Sequence, residues 1–436
     1  MRRFIATVLL FLPTLAGHAQ RVRPRTYELR DGWWLADTSF VRRRTYVVDG
    51  VFRGQRPAVV DSVVELGERY LVPPFADAHT HVLTDPASAK READALLAQG
   101  IFSVLSLTGS ASGRRAAASR LNDVIDVAYA DALTSTRGHP TLSAEVSANR
   151  IPWDSLRQYW PRLLRSRTAE GDVYHTIDSA ADIDRKWPRL RANAPDLVKI
   201  YLLDSERFAE LSRDTASIGA RGLDPTLVPA IVARAHRDRL RVAAHVETAA
   251  DFRIAVRAGV DIVAHLPGLS PRADEDAMRY RLTDADATEA RRHGTAVVPT
   301  AWLAERLAAA KPWLTGPAAS PDTAQLRRAQ EIQRASLAAL RRAGVTIAIG
   351  SDLFESATTE ALYLHRLGAF DAGTVLTMLT RVTPHVVVPG RRVGRLQPGD
   401  EASFLALECN PLQRLECVRS VSFRMRRGVV LTPSTR

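Results

Sequence analysis

Cysteine is nearly absent: Cys409 and Cys417 are the only two in 436 residues. Both lie far along the chain from the histidines that cluster in its middle, so thiolates are not expected in a site there. They either pair, as an oxidising compartment would allow, or remain two separate buried thiols. Long apolar runs are also missing beyond the first residues, so no segment is expected to cross a membrane stably. No short internal repeat is evident, which removes solenoid architectures. The formal charge is +12, carried almost wholly by Arg, yet its clusters are short and scattered, as at Arg42-Arg43-Arg44, Arg291-Arg292, Arg341-Arg342 and Arg391-Arg392. A nucleic-acid surface would concentrate such charge on one element with aromatics between, so no nucleic-acid partner is expected.

What is present begins with a tripartite leader. Arg2 and Arg3 precede an apolar stretch from Phe4 to Leu15, and Gly17-His18-Ala19 supplies small residues for cleavage. This reads as a secretory signal over 1–19, which places the mature chain in the periplasm or outside the cell. Hydrophobic residues at 46% and charged residues at 25% are ordinary for a globular protein with a large core.

Two rhythms follow. From about Gln20 to Leu71, short β-like runs such as Thr45 to Val48 and Val63 to Leu66 are separated by turns at Asp49-Gly50 and Gly67. The end of the chain, from about Arg391, repeats that character in Ser403 to Leu407, Val418 to Phe423 and Val429 to Leu431. The expected organisation is one small β-sandwich built from 20–72 and 391–436, flanking a middle of 73–390. In the middle, eight apolar runs alternate with helical Ala/Arg/Leu-rich segments: 76–79, 100–107, 124–133, 197–203, 241–246, 261–266, 296–300 and 345–350. Strand–helix alternation with eight strands predicts an α/β fold, a parallel TIM-like (β/α)8 barrel. About sixty residues separate the third run from the fourth and include Trp153, Trp160 and Trp187. They form either a lid or a packed elaboration. The stretch from Lys311 to Ala324 reads as a mobile loop.

Polar residues punctuate the C-terminal ends of these runs. They are His79 and His81 on the first, Lys199 on the fourth, His245 on the fifth, His265 on the sixth and Asp352 after the eighth. Barrel enzymes carry their sites at that rim. Residues two apart on a strand share a face, so His79 and His81 can grip one cation together. Imidazole and carboxylate groups make a poor core but suitable ligands for zinc and similar ions. A protonated Lys199 would be repelled by a cation. If its amine adds CO2, the resulting carbamate is an anion whose two oxygens can bridge two ions, one on His79 and His81 and the other on His245 and His265. The expected cofactors are therefore two divalent ions, zinc foremost, and a carbamate on Lys199.

The stretches Phe75-Ala-Asp-Ala-His-Thr-His81, Asp196-Leu-Val-Lys-Ile-Tyr201, Val242-Ala-Ala-His245, Ile262-Val-Ala-His265 and Ile349-Gly-Ser-Asp352 resemble the amidohydrolase superfamily. Its imidazolonepropionase-like and Xaa-Pro-dipeptidase-like members are the nearest in pattern. Thr383-Pro-His and Gly394-Arg-Leu-Gln-Pro-Gly-Asp400 also resemble that group, although Glu401-Ala402-Ser403 replaces its usual Ala-Asp pair. The resemblance implies a binuclear hydrolase that cleaves an amide bond with a metal-activated hydroxide, Asp352 acting as catalytic proton shuttle. A small molecule, a dipeptide or N-acyl amino acid, is the expected substrate. A lactone, carbamate or organophosphate hydrolase is the alternative, and a non-catalytic exported binding protein the reading from another class. His139 and Tyr201 lie where they can touch substrate, though a turn role and core packing explain them as well. Glu247, two beyond His245, either orients a ligand or forms a surface ion pair. Self-association stays open.

Overall fold

The computed structural model describes residues 26–121, 124–309, 322–352 and 356–431. The leader at 1–19 and most of the stretch from Lys311 to Ala324 lie outside them. Seven parallel strands form the central sheet in sequence order: β1 (Phe75–Thr80), β2 (Ile101–Ser106), β3 (Asp126–Thr134), β4 (Leu197–Tyr201), β5 (Arg241–His245), β6 (Ile262–Ala264) and β7 (Ala296–Val298). Each falls on one of the predicted runs. The eighth run closes the ring without forming a regular ladder. Val297 N donates to Thr346 O (2.8 Å) and Ala348 N to Val297 O (2.9 Å), while Ala78 N donates to Ile349 O (2.8 Å). The result is the expected barrel.

The barrel is filled mainly by small side chains. Ala76, Ala78, Ala130, Ala243, Ala264, Ala296 and Ala348 pack with Leu105, Leu197, Ile262 and Val298 inside it. Many such barrels use bulkier branched residues in these layers. Alanine leaves room for long polar side chains at the upper rim. The opposite faces of the strands pack on the surrounding helices, for example Val104, Val198, Val242 and Val263 against Phe252, Leu340 and Leu364. Helix entries are set locally. Thr248 with Asp251, and Thr283 with Asp286, form reciprocal capping boxes at Ala249–Arg257 and Asp284–His293.

The long connection after β3 is a packed elaboration with one added strand, Tyr174–Thr176. That strand pairs in parallel with Ala132–Thr134, while β4 takes the other edge of β3 over Ala130–Leu133. Trp187 belongs to the helix Ala180–Ala192, is buried, and donates to Asp238 at 2.7 Å. Trp160 donates to Ala216 O at 2.9 Å, and Trp153 is 45% exposed. Buried Glu145 gathers the segment, accepting from the amides of Thr168 and Ala169 (3.0 Å each) and from the Tyr174 hydroxyl (2.6 Å).

The two chain ends do meet. A six-stranded sheet runs Val429–Val430, Val421–Arg426, Phe404–Leu407, Tyr70–Val72, Trp33–Ala36, Ser39–Arg42. Its central pairing joins the halves, Leu405 facing Val72 and Ala406 facing Leu71. A four-stranded sheet of Val51–Arg53, Thr45–Val48, Tyr27–Arg30 and Ser62–Glu65 supplies the other layer. Trp34 sits between them, edge-on to Phe52 at 5.8 Å and tilted on Phe404 at 5.6 Å. Cys409 and Cys417 are disulfide-bonded, which decides between the two readings of that pair. Among the described residues no helix is long and apolar enough to cross a membrane.

Candidate active site

Simple alternation delivers two of the six rim residues. On β4, Leu197 lies in the barrel interior, and Lys199 follows it by two; on β5, Ala243 and His245 are related in the same way. β1 is different. Ala76 and Ala78 already point inward, so strict alternation would turn His79 and His81 out. The register of β1 against β2 shifts between Asp77 and Thr80, and this bulge re-aims both imidazoles. Asp77 holds it: Oδ1 accepts from the amides of His79 and Ser351, at 3.0 Å each. His265 follows inward Ala264 and enters the site through a left-handed backbone, φ 77°. Asp352 (φ 67°) and Thr300 (φ 46°) share that conformation. Such residues cost roughly 1–3 kcal/mol each and persist where surrounding bonds hold them.

The imidazoles form a continuous series. Ring centroids are 5.2 Å apart for His81 and His79, 4.7 Å for His79 and His265, and 4.4 Å for His265 and His245. Asp352 Oδ1 lies 3.0 Å from His79 Nε2 and 2.8 Å from His81 Nε2. Ligand atoms of His79, His265 and Asp352 all fall within 4.8 Å of one another, a spacing suited to one ion. Burial, with the nearby Lys199 charge, lowers His79 and His245 to about 3, so these rings are neutral and have lone pairs to offer. His265 is lowered as well, by burial and by His245. Burial pushes the Asp352 carboxyl up, but His79 and His81 outweigh it and keep the group ionised.

Lys199 is wholly buried, and its Nζ has no hydrogen-bond partner among the described residues. Burial brings its pKa down to about 7 even though Asp352 opposes the shift. An amine kept so close to neutral is nucleophilic at ordinary pH. His79 Nδ1 is likewise buried and unpartnered. The donor set therefore fits divalent metal: neutral imidazoles, one carboxylate, and an amine that can become anionic.

His139 stacks on His245 at 4.9 Å and lies 5.2 Å from Tyr201. The Tyr201 hydroxyl bonds Thr108 Oγ1, whose own proton goes to Leu107 O. Glu247 Oε1 lies 3.0 Å from His245 Nε2, and burial pushes the Glu247 carboxyl up to about 7. The other described histidines stand apart, as with buried His175 beside Asp131 and Asn193, and His236 bonded to Asp261. Asp77, Thr300 and Glu360 escaped sequence reading because they touch the site only through backbone or through another side chain.

Gly350, on the eighth run, packs tightly against β1 and β7. An added Cβ would sit 2.5 Å from Val298 Cγ1 and 2.8 Å from His79 Cβ. Gly350→Ala is expected to destabilise the fold by about 1–3 kcal/mol, read as a lower denaturant midpoint.

A closed parallel barrel with a histidine-rich upper rim and a sandwich from both ends defines a class of barrel hydrolases. The amidohydrolase family profile matches residues 196–433, and this chain belongs to that family, hydrolases of carbon–nitrogen bonds. Solved structures share the fold at low identity. An amidohydrolase matches with TM-score 0.70 and 22% identity over 94% of this chain and 100% of its own. An Aspergillus niger ochratoxinase matches with 0.68 and 20% over 93% and 95%. A Xaa-Pro dipeptidase with bound methionine matches with 0.67 and 17% over 93% and 99%. No curated protein matches the chain in sequence.

Proposed function

We propose that this chain is an exported, binuclear metal-dependent hydrolase that cleaves an amide bond in a dipeptide or N-acyl amino acid. The observation that carries the reading is Lys199 Nζ, buried, without a hydrogen-bond partner among the described residues, and near neutral beside the imidazole series. His79 and His81 would hold one ion and His245 and His265 the other, with His265 close enough to His79 and Asp352 to lie between the two pairs; zinc is the expected metal. When bound, the ions acidify water and polarise the scissile carbonyl.

The chain's own residues supply the remaining chemistry. The neutral Lys199 amine attacks CO2, forms an N–C bond and releases one proton, leaving a carbamate that balances charge between the two ligand pairs. Asp352, ionised and at the rim, takes a proton from the attacking water and delivers it to the departing amine as the C–N bond breaks. His139, stacked over His245, and Tyr201 border the space a substrate would fill. A peptide-like substrate is supported by the fold shared with the Xaa-Pro dipeptidase and with a prolidase bound to an N-methylphosphonate of L-proline. The ochratoxinase among the structural neighbours keeps a broader amide class open. Export is supported by the leader and by the Cys409–Cys417 disulfide.

The test is elemental analysis combined with hydrolysis of Xaa-Pro dipeptides, N-acyl amino acids, lactones and carbamates, with and without chelator. Two ions per chain and chelator-sensitive release of amine are expected. Lactone cleavage alone would move the reading to the alternative hydrolase. Bound metal without turnover on any substrate would favour a binding protein.

A further inference from the structure

Behind His265 lies a chain of buried polar groups with no role so far. His265 Nδ1 is 2.8 Å from Thr300 Oγ1, and the Thr300 hydroxyl donates to Pro299 O at 2.8 Å. A hydroxyl has one proton, so Thr300 must accept from His265, and the ring carries its proton on Nδ1. Nε2 keeps its lone pair. Thr300 occupies its position at φ 46°, which a β-branched residue adopts only under constraint.

Glu360 supplies the constraint. Its two carboxyl oxygens accept from the amides of Ala301 (2.9 Å) and Trp302 (2.8 Å), the two residues after Thr300. Gln333 donates to Ala301 O at 3.0 Å and accepts from the Tyr363 hydroxyl at 2.6 Å. Trp302 Nε1 then reaches Ser351 O at 2.8 Å, next to Asp352. Thr300, Gln333 and Glu360 are each 0% exposed. A buried carboxyl group spent on two backbone amides, with no cation bonded to it among the described residues, is costly unless the turn it holds matters.

We propose that Thr300 is a positioning residue that fixes the tautomer and orientation of His265, with Glu360 clamping the turn that carries it. Outer partners of this kind hold a ligand ring in the one form that can bind. The inference rests on the metal-site reading above.

The test uses the full chain with Co2+ alone as probe, followed by visible absorption under chelator competition. The tautomer of His265 is read from long-range 15N–1H correlations in the metal-free protein. Thr300→Val keeps the β-branch and its backbone strain but removes the acceptor. It should weaken Co2+ binding by about 10–100-fold and erase the Nδ1–H preference. Thr300→Ser should restore both. Glu360→Gln offers one oxygen where two amides need acceptors, and should weaken Co2+ binding with Thr300 intact. Wild-type Co2+ affinity and an unchanged tautomer in Thr300→Val overturn the proposal. So does wild-type affinity in Glu360→Gln for the clamp. A wild-type chain that takes up no Co2+ overturns the metal reading instead, and the metal-free tautomer measurement still judges Thr300.

Discussion

Asp352→Asn is expected to lower kcat by about 10²–10⁴-fold while the metal content stays at the wild-type level. Asparagine matches aspartate in shape and tolerates a left-handed backbone, so the φ of 67° at this position is not a reason for the variant to unfold. It keeps an oxygen facing His79 and His81, which lie 3.0 and 2.8 Å from Asp352 Oδ1. What it lacks is the ability to take up a proton from water and give it to an amine. Turnover measured beside elemental analysis separates these roles. Wild-type activity would remove the shuttle, and loss of both ions would make Asp352 mainly a ligand.

The second large effect concerns Lys199. Lys199→Met is expected to reduce the metal content to one ion or fewer and to abolish hydrolysis. The same change should stabilise the metal-free fold by about 1–3 kcal/mol, because a buried amine with no hydrogen-bond partner among the described residues gives way to an apolar chain of similar length. The pH dependence provides an independent check. The folded-state pKa of Lys199 is about 7, below its ordinary 10.5, so between these values the unfolded chain binds more protons. Stability of the metal-free wild type must then rise with pH. Buried Asp77 and Glu360, raised by burial to about 6 and about 8, act in the opposite sense at lower pH. Tyrosines such as Tyr129 begin to titrate in the unfolded chain near their ordinary 10.0. These groups are common to the wild type and Lys199→Met, so between pH 8 and 10, from the Glu360 value to the ordinary tyrosine value, the Lys199 contribution is the difference between the two chains. The stability of the wild type relative to Lys199→Met should climb across that range, read from paired denaturation midpoints. A difference that stays constant with pH would mean that Lys199 is charged or paired in the fold.

The barrel strands were legible because each is a short apolar run bounded by turns, and burial on both faces imposes that composition. The eighth run was legible for the same reason, although it bridges its neighbours through single bonds rather than a ladder. Lys199 and His245 were legible as inward residues because their strands alternate regularly. His79, His81 and His265 were legible only as chemistry, since alternation from Ala76, Ala78 and Ala264 would have turned them outward. Asp77 sits two residues before His79, and that spacing was the one available signal of the bulge it holds. Thr300 and Glu360 left no such signal, because each acts on a partner 35 or more residues away.

Composition and periodicity alone thus determined the barrel, the β-rich ends that join, and the side chains able to bind metal, because these depend on local pattern and residue type. Tertiary structure decided the direction of the imidazoles, the isolation of the Lys199 amine, the tautomer of His265 and the pairing of Cys409 with Cys417. Each of those requires residues distant in the chain to meet, and hydrogen bonding and desolvation have no value until they do.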